Sequence, residues 1–307
     1  MSWSFWHYKT SGILYDWNKM KKVIFLMPVY NDWESLLKLL REINSIIEGI
    51  NGYEFKCIII NDSSKVMSPK IEKPKNFFSL KIINMRENRG HARCNAFGIR
   101  YINSNENFDY VILMDGDGED RPIEIKSLIK KITESPNLSV VAKRIKRSEG
   151  SIFQTLYKIH KLITVIFTGQ KINFGNYSCL TKNDINILSN KSSLWSSFSG
   201  SVKRHISEFN EVDSTRGLRY FGPSKMSIFN LAIHSFSIIA VFKKTVFLRS
   251  FFMIIILSFL SKTIGQIAIF FQVIIVFFNI LIFVVSKRES EKELLNSGEN
   301  MKNESTH

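Results

Sequence analysis

Val111-Ile112-Leu113-Met114-Asp115-Gly116-Asp117-Gly118-Glu119-Asp120 is the stretch on which the reading of this chain turns. An apolar run of strand length ends in two carboxylates one residue apart, and a second acidic pair follows at once. In an open α/β sheet, side chains just past the carboxyl end of a buried strand face the ligand crevice. Two carboxylates there, on a turn made flexible by Gly116 and Gly118, suit Mg²⁺ or Mn²⁺ held against the phosphates of a nucleotide. A polar turn that merely closes a strand is the competing reading, because acidic and glycine residues dominate turns. The surrounding chain has to decide between them.

Working back toward the N-terminus, the same plan recurs. Lys22 to Val29 reads as a buried strand, and after Tyr30-Asn31-Asp32 the apolar residues from Trp33 to Ile43 fall at helical spacing, with Asp32 placed to cap the helix. Lys56 to Ile60 is a second strand, closed by Asn61-Asp62-Ser63-Ser64. Leu80 to Asn84 is a third, followed by Asn88-Arg89-Gly90 and a helix over about 91–103. Such alternation predicts an α/β domain with a mostly parallel sheet. Each strand end carries groups suited to a nucleotide sugar. Asp62 can bond a base or ribose, Tyr30 can pack on a base, and the amides around Asn88 and Gly90 open a helix whose N-terminus favours anions.

Beyond the acidic turn, a helix is expected from Pro122 to about Glu134 and a strand over 138–142. The basic run Lys143-Arg144-Ile145-Lys146-Arg147-Ser148 is either a solvated surface or a phosphate clamp. Helix 152–168 segregates aromatic from basic residues and suits either a membrane surface or core packing. Ile172 to Leu180 is a glycine-bearing turn into a strand or loop, and Asn183-Asp184 starts another helix. Arg216, Arg219 and Lys225 around Phe221-Gly222-Pro223-Ser224 form a second candidate anion clamp.

At 307 residues the chain can bury a full core, and its formal charge of +15 points to an anionic partner. Nucleic acid fits least, since no zinc-finger spacing, RNP-like motif or long basic helix is present. The three cysteines, Cys57, Cys94 and Cys179, are scattered and lack metal-ligand spacing, which favours a reducing compartment. Residues 1–21 have no uninterrupted apolar core, so they read as a packing arm rather than a secretory signal.

The composition changes near Thr245. Thr245 to Leu260 and Ile264 to Val285 are apolar, the second long enough to cross a bilayer and the first nearly so. With only Ser261-Lys262-Thr263 between them, they form a transmembrane hairpin over 245–286. Lys243, Lys244, Lys287 and Arg288 place its outer ends in the cytoplasm by the positive-inside tendency, with Arg249 near enough to an end to snorkel. The expected plan is an arm at 1–21, a catalytic domain at 22–222, interfacial helices at 223–244, the hairpin, and a disordered polar tail at 287–307.

Taken in order, these motifs resemble family-2 glycosyltransferases of GT-A fold over roughly Lys22 to Ile233, in particular the polyprenyl-phosphate glycosyltransferases similar to dolichyl-phosphate mannose synthase. Pro28-Val29-Tyr30-Asn31-Asp32 resembles Pro-x-Tyr-Asn-Glu, and Asn61-Asp62-Ser63-Ser64 resembles Asp-Asp-x-Ser. Asn88-Arg89-Gly90 with Cys94 and Gly98 follows Asn-x-Gly-x-x-x-Ala-x-x-x-Gly. Asp115-Gly116-Asp117-Gly118-Glu119-Asp120-Arg121-Pro122 is similar to Asp-Ala-Asp-Leu-Gln-Asp-Pro-Pro. Arg144 to Ser148 matches an Arg-x-x-Arg stretch, and Arg219 to Met226 matches Arg-x-x-Gly-x-Ser-Lys-Tyr. Asn61, Glu119, Asn176 and Met226 depart from the pattern. Asn176 stands where many relatives carry Asp.

The resemblance implies a nucleoside site at Pro28, Tyr30, Asp32 and Asp62, with Asn88, Gly90 and Gly116 also on the donor. It implies a metal and diphosphate site at Asp115 and Asp117, with Glu119 beside it. Arg144, Arg147, Arg216, Arg219 and Lys225 would contact the acceptor or diphosphate. The implied activity is inverting transfer of one sugar from a nucleotide-diphosphate donor to polyprenyl phosphate, with Mg²⁺ or Mn²⁺, by an integral protein of a bacterial inner membrane whose catalytic domain is cytoplasmic. Two alternatives stand beside it: transfer to a lipid-linked saccharide, and an inactive membrane-tethered scaffold. The oligomeric state stays open. Processive synthesis is disfavoured because no Gln-x-x-Arg-Trp segment is present.

Overall fold

The computed structural model describes residues 20–146, 151–223 and 227–307. Most of the arm expected at 1–21 lies outside the described residues, as do Arg147, Ser148, Ser224, Lys225 and Met226. The first half of the chain alternates strand and helix as expected: β1 Lys21–Val29, α1 Trp33–Ile47, β2 Tyr53–Asn61, β3 Ser79–Met85, α2 His91–Asn105, β4 Tyr110–Leu113 and α3 Ile125–Glu134. Then come β5 Val140–Lys146, α4 Ser151–Thr168, β6 Phe174–Thr181, α5 Lys182–Ser189, α6 Phe198–His205 and β7 Asn210–Thr215.

One sheet of eight strands results, ordered β7-β5-β6-β4-β1-β2-β3-β8, where β8 is Met301–Thr306. The β1–β2, β1–β4, β2–β3 and β5–β7 pairings are parallel, and the β4–β6, β5–β6 and β3–β8 pairings are antiparallel. The chain moves outward from β1 through β2 to β3, then returns to place β4 on the other side of β1. That reversal opens a crevice between the carboxyl ends of β1 and β4, where ligands of open α/β sheets bind.

Burial explains why the central strands read as nearly continuous apolar runs, since both faces of a parallel sheet are covered. Val23, Phe25 and Met27 pack on one face with Leu36, Leu39 and Ile43 of α1 and Leu128 of α3. Ile24 and Leu26 pack on the other with Phe97 and Ile99 of α2 and Trp195. Gly98 is required there, because a Cβ on it would lie 2.4 Å from Leu26 Cδ1.

The C-terminal third departs from expectation twice. Helices α7 Ile228–Ala240, α8 Lys243–Ile264 and α9 Gln266–Ser286 follow the sheet domain. Both α8 and α9 are long and apolar enough to cross a membrane, and most of their side chains face outward. The hairpin turns at Gly265, whose φ of 58° reverses the chain, so Ser261-Lys262-Thr263 stays helical instead of forming the turn. Gln272 Nε2 donates to Ser258 Oγ at 2.8 Å and so joins the two helices. Arg249 donates to the carbonyl of Ile166 at 3.0 Å, which fastens α8 to the last turn of α4.

The second departure corrects the disordered tail expected at 287–307. A short helix α10, Glu291–Leu295, docks beside the sheet domain, where Trp195 Nε1 donates to Glu293 Oε2 at 2.8 Å. Leu294 is fully buried in the α2-side core, and β8 then pairs with β3 as the sheet's outer strand. Polar composition concealed these contacts: β8 is Met-Lys-Asn-Glu-Ser-Thr, and an edge strand exposes most of its side chains. Its backbone supplies what an apolar pattern does not, from Arg86 N donating to Asn300 O at 2.7 Å to His307 N donating to Leu80 O at 2.8 Å.

Leu294→Ala should therefore destabilise the detergent-solubilised protein by about 2–4 kcal/mol, seen as a lower denaturation midpoint with faster hydrogen exchange along β8. An unchanged midpoint would show that the tail is not docked.

Candidate active site

The acidic turn begins where β4 ends, and its glycines are there for fit. A Cβ on Gly116 would lie 2.9 Å from the Pro28 carbonyl oxygen, so only glycine lets this turn approach the end of β1 so closely. Gly118 has φ 88°, and a Cβ on it would lie 2.4 Å from the Tyr220 ring. The turn is closed internally by Asp120, buried, whose Oδ2 accepts from the Asp115 amide at 2.9 Å. Asp115 and Asp117 are left facing the crevice with 20 % and 18 % of their side chains exposed.

A segment far away in sequence straps across this turn. Gly217 N donates to Glu119 O at 2.8 Å and Tyr220 N to Asp117 O at 3.0 Å. Arg216 pairs with Glu119, and Arg219 bridges two strand ends, reaching Asp117 Oδ2 at 2.9 Å through one nitrogen and Asp32 through another. Tyr220 anchors the strap by donating to Glu42 Oε2 at 2.6 Å, with Lys38 Nζ 4.3 Å from its ring centroid. A cavity of about 340 Å³ lies against the strap, lined by Glu42, Arg121, Ile123 and Leu218 among others, and neither Asp115 nor Asp117 borders it.

On the other side of Asp115 stand two residues that sequence reasoning gave no such part. His91, the first residue of α2, brings Nε2 to 3.6 Å from Asp115 Oδ1. Asn176 of β6 donates to the same oxygen at 3.0 Å. The His91 ring also meets His234 of α7, centroids 5.8 Å apart. A histidine opening the helix after Asn-Arg-Gly was the available signal, but only the fold brings it to Asp115.

The charges are strongly interdependent. Burial works against the charge on Asp115, yet the His91 imidazole, with Arg216 and Asn176, holds its carboxyl well below the usual range. Burial and the neighbouring Asp115 and Glu119 push Asp117 up to about 6, and burial with Asp115 pushes Asp120 up to about 7. Burial depresses His91 as well, but Asp115 outweighs it and the imidazole titrates above its usual value. Burial and the His91 charge push His234 down to about 3. The turn thus holds more carboxylate than its cations neutralise.

Among the described residues, no group of three or more His, Cys, Asp or Glu side chains can hold a metal by itself. The available donor set is the carboxylates of Asp115 and Asp117. Two hard oxygen ligands completed by phosphate oxygens and water are what Mg²⁺ or Mn²⁺ commonly takes from a protein. These residues fit that use.

Other expected residues are distributed unevenly. Asp32 sits at the N-cap of α1 but makes no side-chain cap; its carboxylate takes Arg219 and the Ser35 hydroxyl, the latter at 2.7 Å. Asp62, 3 % exposed, accepts from the amides of Arg89 and Gly90, both at 2.9 Å. The anion at the start of α2 is therefore the protein's own carboxylate, and Asp62 positions that loop. Asn31 and Ser63 have φ of 52° and 57°, and Asn31 Oδ1 clasps the Lys65 amide at 2.7 Å, so the loops after β1 and β2 are tied together. Pro28 is buried, Tyr30 half-buried and Asn88 exposed beside them. The Arg144 guanidinium lies over Gly175 of β6, where a Cβ would be 2.4 Å from its Nη2, and its charge reaches Asp120. Arg147 and Lys225 fall outside the described residues.

Residues 24–198 match the family model described as glycosyl transferase family 2. The undecaprenyl-phosphate 4-deoxy-4-formamido-L-arabinose transferase of Photorhabdus laumondii is 28 % identical over 170 residues, covering 53 % of this chain and 49 % of its own. The transferase of the same name from Salmonella paratyphi B is 28 % identical over 171 residues, covering 55 % and 50 %. The chain thus spans about half the length of the curated relatives it matches. Glucosyl-3-phosphoglycerate synthase from Mycobacterium tuberculosis, crystallised with Mn²⁺, UDP-glucose and phosphoglyceric acid, shares the fold with a TM-score of 0.51 at 13 % identity, covering 74 % of this chain and 80 % of that one. Mannosyl-3-phosphoglycerate synthase from Rubrobacter xylanophilus does so with a TM-score of 0.52 at 12 % identity, covering 72 % of each.

The contact between Gly118 and Tyr220 makes the strap testable by itself. Gly118→Ala should lift residues 216–221 and raise the rate of tryptic cleavage at Arg216 or Arg219 several-fold, while backbone strain lowers global stability by only about 1–2 kcal/mol. Wild-type cleavage rates would show that the strap does not rest on this glycine.

Proposed function

The chain belongs to glycosyl transferase family 2, and from that premise we propose that it moves one sugar, with inversion, from a nucleotide-diphosphate donor to polyprenyl phosphate, undecaprenyl phosphate in a bacterial inner membrane. The observation that carries this reading is the adjacency of the acidic turn to the apolar helices. Asp115 contacts His91, and His91 meets His234 on the helix that leads into the hairpin. A donor held at the sheet crevice is then next to an acceptor arriving from the bilayer. The names of the curated relatives support the same acceptor class.

The membrane assignment has physical support. Phe251, Phe252, Phe259, Phe270 and Phe277 all project outward from α8 and α9, an apolar surface too large for water to tolerate. Ile159, Leu162 and Ile166 continue it along one side of α4. Both outer ends of the hairpin are fixed to the sheet domain: Glu289 lies 3.6 Å from Lys243 and 3.7 Å from Arg204. We infer a cytoplasmic catalytic domain from the basic residues at those ends, Lys243, Lys244, Lys287 and Arg288, because the positive-inside tendency favours that side.

In the proposed reaction a phosphate oxygen of the lipid attacks the anomeric carbon from the face opposite the departing diphosphate, so a single displacement inverts it. Mg²⁺ or Mn²⁺ bound by Asp115 and Asp117 supplies charge neutralisation for that diphosphate. Arg216 and Arg219 stand over the same turn, and Arg144 brings a further guanidinium toward it. These cations, with Arg147 and Lys225, orient the donor and acceptor phosphates. Asn176 and His91 hold the Asp115 carboxylate ionised and fixed in direction. A phosphate acceptor is already ionised near neutral pH, so no residue has to remove a proton from it.

Purified protein should transfer labelled sugar to polyprenyl phosphate, lose transfer when divalent ions are chelated, and lose about 100-fold or more in turnover on Asp117→Asn. Transfer that survives both would refute the metal role. Absence of transfer with any activated sugar and any acceptor would favour a binding scaffold, and a product built only on lipid-linked saccharide would move the acceptor assignment.

A further inference from the structure

The strand that follows the membrane hairpin does more than close the sheet. At the carboxyl ends of β1, β2 and β3, Val29, Asn61, Asn84 and Asn303 form one row across four neighbouring strands. Asn61 Nδ2 donates to Asn84 Oδ1 at 2.8 Å, and Asn84 Nδ2 donates to Asn303 Oδ1 at 2.8 Å. Asn61 Oδ1 is in turn held by the Ser64 amide at 3.0 Å. Donation runs in one direction through this ladder, so it ends on β8 with the Asn303 amide nitrogen.

The ladder borders a cavity of about 190 Å³, whose other walls include Ser63, Ser64, Arg86 and Lys302. That volume is below the roughly 300–1,000 Å³ of pockets that enclose whole ligands, and suits one ring system of an extended molecule. Its position fits such a division. Neighbouring strands are about 4.8 Å apart, so the end of β3 lies on the order of 14 Å from the end of β4 along the sheet. An extended nucleoside diphosphate anchored at the acidic turn reaches across the ends of β1 and β2 to this cavity. In-plane amide donors and acceptors are suited to the edge of a heterocyclic base.

We propose that β8 completes the donor site and that Asn303, at the end of the Asn61–Asn84 ladder, selects the nucleobase. The inference rests on the nucleotide-sugar reading above and deepens it, because it gives base selection to a segment beyond the membrane helices. It also makes docking of the tail a condition for recognition of the donor.

The test uses the full chain in detergent or nanodiscs and measures affinities for UDP, GDP, CDP and ADP, and for inorganic pyrophosphate with Mg²⁺. Asn303→Asp replaces the terminal donor with an acceptor. It should weaken the preferred nucleoside diphosphate about ten-fold and narrow its margin over the others, with pyrophosphate affinity changed less than about two-fold. Ser305→Ala, farther along β8, should leave the whole profile alone. Hydrogen exchange of the β3 and β8 amides reports whether the variant strand is still docked. With the strand docked, an unaltered preference, or equal loss for pyrophosphate and nucleotide, would overturn the assignment of Asn303 and leave the donor reading standing. If Asn303→Asp undocks the strand, Asn303→Ala takes its place with the same expected profile. A wild-type protein that binds no nucleoside diphosphate would overturn both.

Discussion

Asp32, Asp115, Asp117, Glu119 and Asp120 converge on one crevice, and five carboxylates so close together repel unless cations stand among them. Two like charges 4 Å apart cost about 4 kcal/mol at the effective dielectric of a protein surface, comparable to a sizeable part of a domain's net stability. The site is arranged around that constraint. Arg216 and Arg219 come from a segment about a hundred residues later to neutralise Glu119, Asp117 and Asp32. His91 does the same for Asp115 from the opposite side. Asp120 is kept from adding to the problem by burial, which raises its affinity for a proton while its oxygen orders the Asp115 amide. On the proposed reading, a divalent ion and a polyanionic donor would enter between these two sets, the ion offsetting the carboxylate charge left over, and Arg219 would then exchange Asp117 for phosphate oxygens.

The same accounting explains why the sheet domain and the apolar helices are built as one unit. Asp115 raises the proton affinity of His91, which sits edge-on to His234, whose own protonation is opposed by burial and by His91. Helix α7 is therefore packed against an electrostatic feature of the crevice and not only against apolar surface. Glu289, between Arg204 and Lys243, closes the circuit at the far end of the hairpin. From there the chain returns to the sheet through Leu294 and β8, so the segments before and after the apolar helices both end on the catalytic domain.

How much of this was legible depended on which physical signal each part carries. The strands β1, β2 and β4 announce themselves because strands buried on both faces must be apolar throughout. The acidic turn follows from the topology they imply, and the hairpin from length and hydropathy. The edge strands β7, Asn-Glu-Val-Asp-Ser-Thr, and β8 gave no such signal: β7 turns only Val212 and Ser214 inward, most of the β8 side chains are exposed, and both strands are held largely by backbone pairing. Their absence from the sequence reading had one cost in each case: without β7 the placement of Arg216 beside Glu119 was not derivable, and without β8 the tail looked disordered. Asp62 was ambiguous for a different reason. A carboxylate after a strand looks the same in sequence whether it faces a ligand or the amides of the next helix, and here it faces the Arg89 and Gly90 amides.

Asn176 shows how the charge constraint bears on the choice of acceptor. A carboxylate there would face Asp115 Oδ1 across the 3.0 Å now bridged by the amide, adding a sixth negative group to the crevice. The amide converts that repulsion into a donated hydrogen bond and leaves the site without a base at this position. An alcohol acceptor must lose its proton as it attacks, and would need such a base. A phosphate brings its negative charge with it and needs cations to hold it, a part we propose for the basic residues of the strap. On the proposed reading, the amide at 176 and the arginines at 216 and 219 are two parts of one solution, in which the acceptor's own ionisation replaces general-base catalysis.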